Sequence, residues 1–588
     1  MTDRTDTPAG PDRPVDPVRI AVVQARLDHL CRRMGWVMTR TARSPIFSQS
    51  HDFSCFATDR DGVLVSTADG IPIHTGGGGF AVRAILARYG PDGTGGGPGR
   101  LEDGDVFLLN DPYAAGGNHL PDWVVARPVF VDGTLVAFCC NRAHQSDIGG
   151  GAAGTYNPEA TEIYHEGIRL PVLRLVEGGA VRDDLWELLL LNSRTPELLD
   201  GDLRAMLGST AIGAGRVAEL VADLGRPTDG SAGTDPIEAA LAAFRAVCDH
   251  AEARFRARIA DLPDGTWVAT EHWDDDCFGP ADVTIRMALT IAGDEVTVDF
   301  TGTDPQIRGF KNSGWVNTWS AVSMGLASYF EPDLPRNEGT FRGVTMVAPE
   351  GSVVNARPPA PMTMDTVIPA HEIVHLVWRC LSQADPDRSL AGWGKNIFPV
   401  TAGSDGDRPF VMYHWSAAAG GGATGDRDGF NQIGHLIALG GLTLSDVETA
   451  EQSYPVRFLR QEFRTDGGGA GRFRGGTGVE YEVEVPSPAR WSFRGEGIGR
   501  PTGWGQAGGA SGAGGELVLR PLDGGPDLVA PKYGLAETGP VRLIARSPGG
   551  GGWGDPRDRD RSLVARDVRD GVVSSEAARA VYGWDDRA

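Results

Sequence analysis

Residues 110–150 read NDPYAAGGNHLPDWVVARPVFVDGTLVAFCCNRAHQSDIGG. Two apolar runs, 124–131 and 134–141, flank Asp132-Gly133. That dipeptide suits a two-residue turn in which both residues take positive φ, so the stretch is expected to fold as a β-hairpin. A hairpin brings its open ends together. The loop carrying His119 and Asp122 therefore lies beside the segment carrying His144 and Asp147. Asp111 stands in the same stretch, but Asn-Asp-Pro-Tyr equally suits a turn. Upstream, DFSCFATDRDGVLVS forms two alternating runs around Asp-Gly, a second hairpin signal. Asp52, just before it, is a candidate fourth ligand, and His74 is a further one. Imidazoles mixed with carboxylates suit zinc, manganese, iron or cobalt rather than calcium. Such an ion lowers the pKa of a bound water or polarises a carbonyl oxygen. The competing reading is that these residues only make turns and solvated surface.

Outward from this stretch, residues 1–17 read as a disordered tail. From Val18 to about Arg43 apolar residues recur at helical spacing, which predicts an amphipathic helix. Residues 183–260 read as helical. Residues 266–301 return to strands around the turn IAGD, and one helix is expected near 371–383. From 456 to 546 the pattern is β and Gly-rich, and the last 25 residues give helical pieces. The class is α+β, with mixed sheets over several domains. The expected divisions are an N-terminal metal-binding domain at 18–182, a helical segment plus hairpin domain at 183–335, a mixed substrate-pocket region at 336–455, and a Gly-rich β domain with a helical tail at 456–588.

Bulk properties exclude several functions. The chain carries 55 basic and 78 acidic residues, a net charge of −23. No basic cluster interrupts this, which argues against a nucleic-acid or anionic-membrane partner. No apolar run approaches the ~18 residues of a membrane span. The N-terminus lacks the apolar core of a signal peptide, so a cytoplasmic location is expected. The 7 cysteines include no CxxC pair, which argues against a disulfide framework and a thiolate zinc site. Glycine, at 82 of 588 residues, is about twice its usual share and is clustered. Such clusters serve loops where backbone passes close to backbone or where amides face a ligand. One cluster, RTDGGGAGRFRGGTG with Arg464, Arg472 and Arg474, suits either phosphate binding or close packing of the C-terminal domain.

A second motif competes for the metal. HEIVH, residues 371–375, is the pentapeptide of zinc peptidases: two histidines at i and i+4 share a helix face and the glutamate acts as base. A catalytic zinc needs a third protein ligand. The metzincin extension would require Gly and His where Trp378 and Leu381 stand. The next glutamate is Glu448. His371 and Glu372 are better read as opening a helix after Pro369.

Several long motifs resemble the hydantoinase B/oxoprolinase family. They are NDPYAAGGNHLPD, DFSCFATDRDG, FTGTDPQIRGFKN, RTDGGGAGRFRGGTGVEYEV and the C-terminal SPGGGGWGDPRDRDRSLVARDVRDGVVSSEAARAVYG. The likeness runs from about residue 18 to the C-terminus. The family includes B subunits of ATP-dependent hydantoinases, one half of 5-oxoprolinase, and large subunits of acetone and acetophenone carboxylases. The resemblance implies a hetero-oligomer with a hydantoinase A-type subunit that binds ATP, and indeed no G-x-x-x-x-G-K-[ST] occurs here. It implies that the partner phosphorylates the oxygen of a lactam, a hydantoin or a ketone, and that the intermediate is completed at a divalent metal, zinc or manganese first. The family's ligands fall on Asp52, His119, Asp122 and His144. Asp147 and His74 are then assigned to catalysis at the same centre. The expected activity is cyclic-amide hydrolysis, with ketone carboxylation as the alternative and a non-catalytic scaffold as a third. The stretch 361–450 departs from hydantoinase-like members, which keeps His371, His375 and His414 as pocket candidates.

Overall fold

A computed structural model describes residues 16–67, 70–74, 76–90, 100–226, 234–330 and 334–584. The tail expected at 1–17 lies almost wholly outside the described residues; Asp16 caps the first helix. The elements are α1 (Pro17–Thr41), α2 (Pro45–Ser48), β1 (Phe53–Asp59), β2 (Leu64–Thr67), α3 (Gly78–Tyr89), β3 (Val106–Leu109), β4 (Asp122–Val131), β5 (Thr134–His144), β6 (Leu173–Glu177) and β7 (Ala180–Val181). The seven strands form one antiparallel sheet in the order β2-β1-β5-β4-β3-β6-β7. Asp132 (φ 48°) and Gly133 (φ 76°) make the expected turn between β4 and β5.

Helices α4 (Asp183–Leu191), α5 (Pro196–Leu224) and α6 (Pro236–Ala260) follow. α1 and α5 pack on one face of the first sheet, against Cys55, Val125 and Cys139; α3 covers the other, against Phe56, Val124 and Phe138. Both faces are buried, which explains why TLVAFCCN reads as a continuous apolar run rather than an alternating one.

β8 (Gly265–Asp275), β9 (Pro280–Ala292), β10 (Glu295–Asp299) and β11 (Val344–Val347) form a second sheet, ordered β11-β10-β9-β8, with β10 and β11 parallel. α7 (Trp315–Tyr329) packs on α8 (Ile368–Ala384), and α8 lies on β8 and β9. β12 (Val400–Asp405) and β13 (Arg408–Tyr413) join β16 (Ala489–Arg494) and β19 (Tyr533–Thr538) in a third sheet. β14 (Arg457–Phe463), β15 (Val479–Val485), β17 (Glu516–Pro521), β18 (Leu528–Val529) and β20 (Val541–Arg546) make a fourth, ordered β14-β15-β20-β17-β18. The third sheet thus unites strands from the 336–455 stretch with strands from the C-terminal part. The architecture is α+β. Among the described residues no helix is long and apolar enough to cross a membrane.

Candidate metal centre

Asp122 and His144 are facing residues in the ladder, the last pair at the open end of the β4–β5 hairpin. The strands run further than the apolar pattern suggested, so both side chains are placed by sheet register rather than by a loop. The loop before β4 is held by buried polar contacts. Asn110 donates from Nδ2 to the Leu120 and Ile168 carbonyls and accepts from the Leu170 amide. Arg142 donates to Asn118 Oδ1 and to the Gly77 and Gly116 carbonyls. Gly116 has φ +72°, and a Cβ at Gly117 would overlap the Asn110 carbonyl, so the Gly-Gly pair is required to bring His119 against β4.

The structure brings His119, Asp122 and His144 together, with one ligand atom of each within 4.8 Å of the others. All three are buried. His119 Nε2 lies 2.9 Å and His144 Nδ1 3.2 Å from Asp122 Oδ1. His74 Nε2 lies 3.2 Å from Asp122 Oδ2. Asp52 lines the same small cavity, about 30 Å³ in volume, without joining the tight group.

The surrounding hydrogen bonds fix which nitrogen of each ring carries its proton. His119 Nδ1 faces the Thr363 carbonyl at 2.7 Å, and a carbonyl only accepts, so Nδ1 is the N–H. Ser54 Oγ gives its hydrogen to the Ile71 carbonyl (3.2 Å), so it accepts from His74 Nδ1 (3.0 Å). Tyr413 gives its hydrogen to the Gly154 carbonyl (2.7 Å), so its oxygen accepts from His144 Nε2 (3.4 Å). The other nitrogen of each ring faces one carboxylate, and His119, which Asp122 holds protonated, shares a proton with it. Asp122 Oδ2 has no hydrogen-bond partner among the described residues. A divalent cation in place of that proton would meet the same nitrogens and carboxylate, and outward N–H groups held by carbonyls or hydroxyls are the usual support of metal-bound imidazoles. The donor set fits a divalent ion of the zinc or manganese kind.

Titration reflects the same crowding. Burial alone would lower His119, but the Asp122 carboxylate outweighs it and holds the ring up at about 9. Burial raises Asp122, yet His119 and His74 keep it well below the usual carboxylate range. Burial pushes Asp52 up to about 6.

Asp147 is placed elsewhere, which corrects its assignment to catalysis. Its carboxylate accepts from the Gly149, Gly154 and Arg194 amides and pairs with the Arg194 guanidinium at 3.1 Å. It is therefore a positioning residue: it holds Gly154, whose carbonyl holds Tyr413, whose oxygen holds His144. Asp111 takes its turn role, accepting from the Tyr113 amide and from Arg169.

HEIVH lies on α8 as expected, and its two rings share a face with centroids 4.4 Å apart. No third ligand joins them among the described residues. Glu372 is instead the counter-ion of buried Lys395 and accepts from Trp273 Nε1 (2.9 Å). His375 Nε2 accepts from the Trp393 amide at 3.1 Å. Burial drives both histidines well below the usual imidazole range, so they are neutral core residues. His414 is bonded to Thr401 and Tyr481 and stacks on Trp491. In RTDGGGAGRFRGGTG, Arg464 donates to the Gly514 and Ser547 carbonyls, and Arg474 to Gly475 and Asn431. That cluster serves packing.

Sequence reasoning missed four residues around the cavity: Tyr156, Tyr413, His435 and Arg494. His435 and Arg494 come from segments some 300 residues or more beyond the hairpin. No spacing rule links them to it.

Residues 16–556 match the family model for hydantoinase B/oxoprolinase. The caprolactamase subunit beta of Pseudomonas jessenii is 35% identical, over 97% of this chain and 96% of that protein. The crystal structure of the ATP-dependent caprolactamase from that organism superposes with a TM-score of 0.86 at 31% identity, covering 98% of both chains. A nucleotide-free acetone carboxylase shares the fold, with a TM-score of 0.82 at 21% identity over 97% of this chain and 80% of that one. The chain is a member of the hydantoinase B/oxoprolinase family of enzymes.

Proposed function

We propose that this chain is the B-type subunit of a cytoplasmic, ATP-dependent cyclic-amide hydrolase, with Asp52, His119, Asp122 and His144 holding its divalent ion. The observation that carries this reading is the convergence of three buried imidazole nitrogens on the Asp122 carboxylate. A bound divalent ion supplies a water of lowered pKa or polarises a carbonyl oxygen. The chain's own residues do the rest. Thr363, Ser54 and Tyr413 set the three rings before any ligand arrives. Burial keeps His74 neutral, so its Nε2 is free to take a proton beside Asp122. Ile71, Ile73, Val367 and Phe398 wall the cavity and exclude bulk water.

ATP chemistry falls to a hydantoinase A-type partner in a hetero-oligomer. The sequence has no P-loop motif, and the P. jessenii relative is itself named as a subunit. An amide resists water because its nitrogen donates into the carbonyl. Phosphorylating the oxygen removes that resonance and leaves an electrophilic carbon for this centre to complete. The caprolactamase likeness favours a lactam. The shared fold of acetone carboxylase keeps ketone carboxylation as the second reading.

The test is metal analysis of the purified chain by mass spectrometry, followed by reconstitution with the partner. Wild type is expected to hold a single ion that His119→Ala loses and His371→Ala keeps. Loss in His371→Ala alone would move the centre to α8. In the reconstituted complex, lactam-dependent ATP turnover without bicarbonate supports the hydrolase. Turnover that requires a ketone and bicarbonate establishes the carboxylase instead.

A further inference from the structure

Arg494 ends β16 and is 3% exposed. Its guanidinium carbon lies 3.3 Å from the ring centroid of Tyr156, 4.4 Å from that of Phe398 and 5.5 Å from that of Tyr413. These rings hold the planar group in place without neutralising it. Nε and Nη1 have no hydrogen-bond partner among the described residues. No carboxylate among them forms an ion pair with it, although Asp52 is near enough to feel the charge. Burying a cation without a counter-charge is costly. Arg142, the other buried arginine beside the centre, spends its donors on Asn118 and two carbonyls. Arg494 meets the Tyr156 hydroxyl but leaves Nε and Nη1 unspent, and it faces the cavity that Asp52, His119, Asp122 and His144 line. His435 lines the same cavity, and both its ring nitrogens also lack partners among the described residues.

We infer that Arg494 is the anchor for an incoming oxyanion at this centre, and that the oxyanion is the phosphoryl group of the activated intermediate. The inference rests on the proposed function for the identity of the ligand, and on the cavity for its place. A guanidinium presents several N–H donors in one plane and pairs with phosphoryl oxygens more strongly than a point charge does. The cavity of about 30 Å³ admits the equivalent of roughly two or three waters. That suits the head of a ligand whose body stays outside. Filling it would supply the counter-charge that Arg494 lacks and acceptors for its Nε and Nη1.

The experiment is calorimetric titration of inorganic phosphate, and separately of acetate, into the full-length metal-loaded chain, with metal content measured on the same samples. Wild type is expected to bind phosphate more tightly than acetate. Arg494→Gln is expected to bind phosphate about 10- to 100-fold more weakly with its metal content unchanged. Arg494→Lys keeps the charge without the planar donors and carries the test if the glutamine variant does not fold; its expected loss is about tenfold. Phosphate binding within threefold of wild type in the tested variant would overturn the inference, as would no phosphate binding by wild type or tighter binding of acetate. A wild-type chain without metal would sink the proposed function instead, and the phosphate titration would still decide the role of Arg494.

Discussion

Asp122 shows how much one residue is asked to do. It ends a strand, faces His144 across the ladder, and receives three imidazoles aimed by groups that never touch a ligand. Those groups are a place to test the centre without removing a ligand. Ser54→Ala deletes the acceptor for His74 Nδ1 and frees that ring to rotate. The expected result is a loss of about 100-fold in turnover by the reconstituted complex, with metal content and melting temperature little changed. Unchanged turnover would remove His74 from the centre. His119, Asp122 and His144 were legible in the sequence because a hairpin with an Asp-Gly turn fixes which residues meet. Arg494 and His435 were not. They arrive through the packing of the third sheet and the 433–441 segment against the first sheet, and nothing local in WSFRGEG or QIGHL encodes that meeting.

Among the elements, α8 is where a strong motif points the wrong way. The helical spacing of HEIVH is read correctly, but spacing says nothing about what the shared face meets. Here it meets Lys395, Trp393 and Trp504 rather than a third ligand. Glu372→Gln leaves the buried Lys395 ammonium without its contacting counter-charge. The expected cost is about 3 kcal/mol in urea unfolding, with metal content intact. Loss of the ion with no loss of stability would restore the peptidase reading. The junction of α5 with α2 offers a pH test away from the centre. Asp202, buried on α5, accepts from the Arg43 and Ser44 amides, and burial raises its carboxyl from 3.8 to about 6. The folded state therefore holds this proton more tightly than the unfolded state. Its contribution is fully present below pH 3.8 and is lost as pH rises through about 6. Asp202→Asn abolishes that dependence. Relative to the variant, wild type should lose on the order of 3 kcal/mol across this window and no more above it. A constant difference from pH 4 to 7 would show that the carboxyl titrates normally.

Across the whole molecule, the glycine clusters explain how so many distant segments reach one centre. Outside the four sheets, extended segments near 392, 421, 476, 504 and 550 run beside one another, backbone against backbone. Gly476 donates to the Gly421 carbonyl, Gly550 to Gly476, Gly551 to Gly392, and Gly392 to Trp504. The sequence announced close packing by its glycine content, but not which cluster meets which. A Cβ at Gly476 would overlap the Phe430 carbonyl and the Gly421 amide. The backbone cannot yield, because the Gly476 amide and carbonyl are both engaged. Gly476→Ala must therefore open the stack, at a cost of about 3 kcal/mol or more. Gly208, inside α5, is the control: nothing lies within 4 Å of its added Cβ, and alanine there should stabilise by up to ~1 kcal/mol. The damage at 476 should not stay local. The stack continues through Gly497, which donates to the Asn396 carbonyl and accepts from Gly515, and so ties together the segments that carry Phe398 and Arg494. Thermal unfolding should therefore separate the two variants in sign, and phosphate affinity should fall in Gly476→Ala but not in Gly208→Ala. Equal melting temperatures in the two variants would mean that the clusters are loops of no consequence to the wall of the centre.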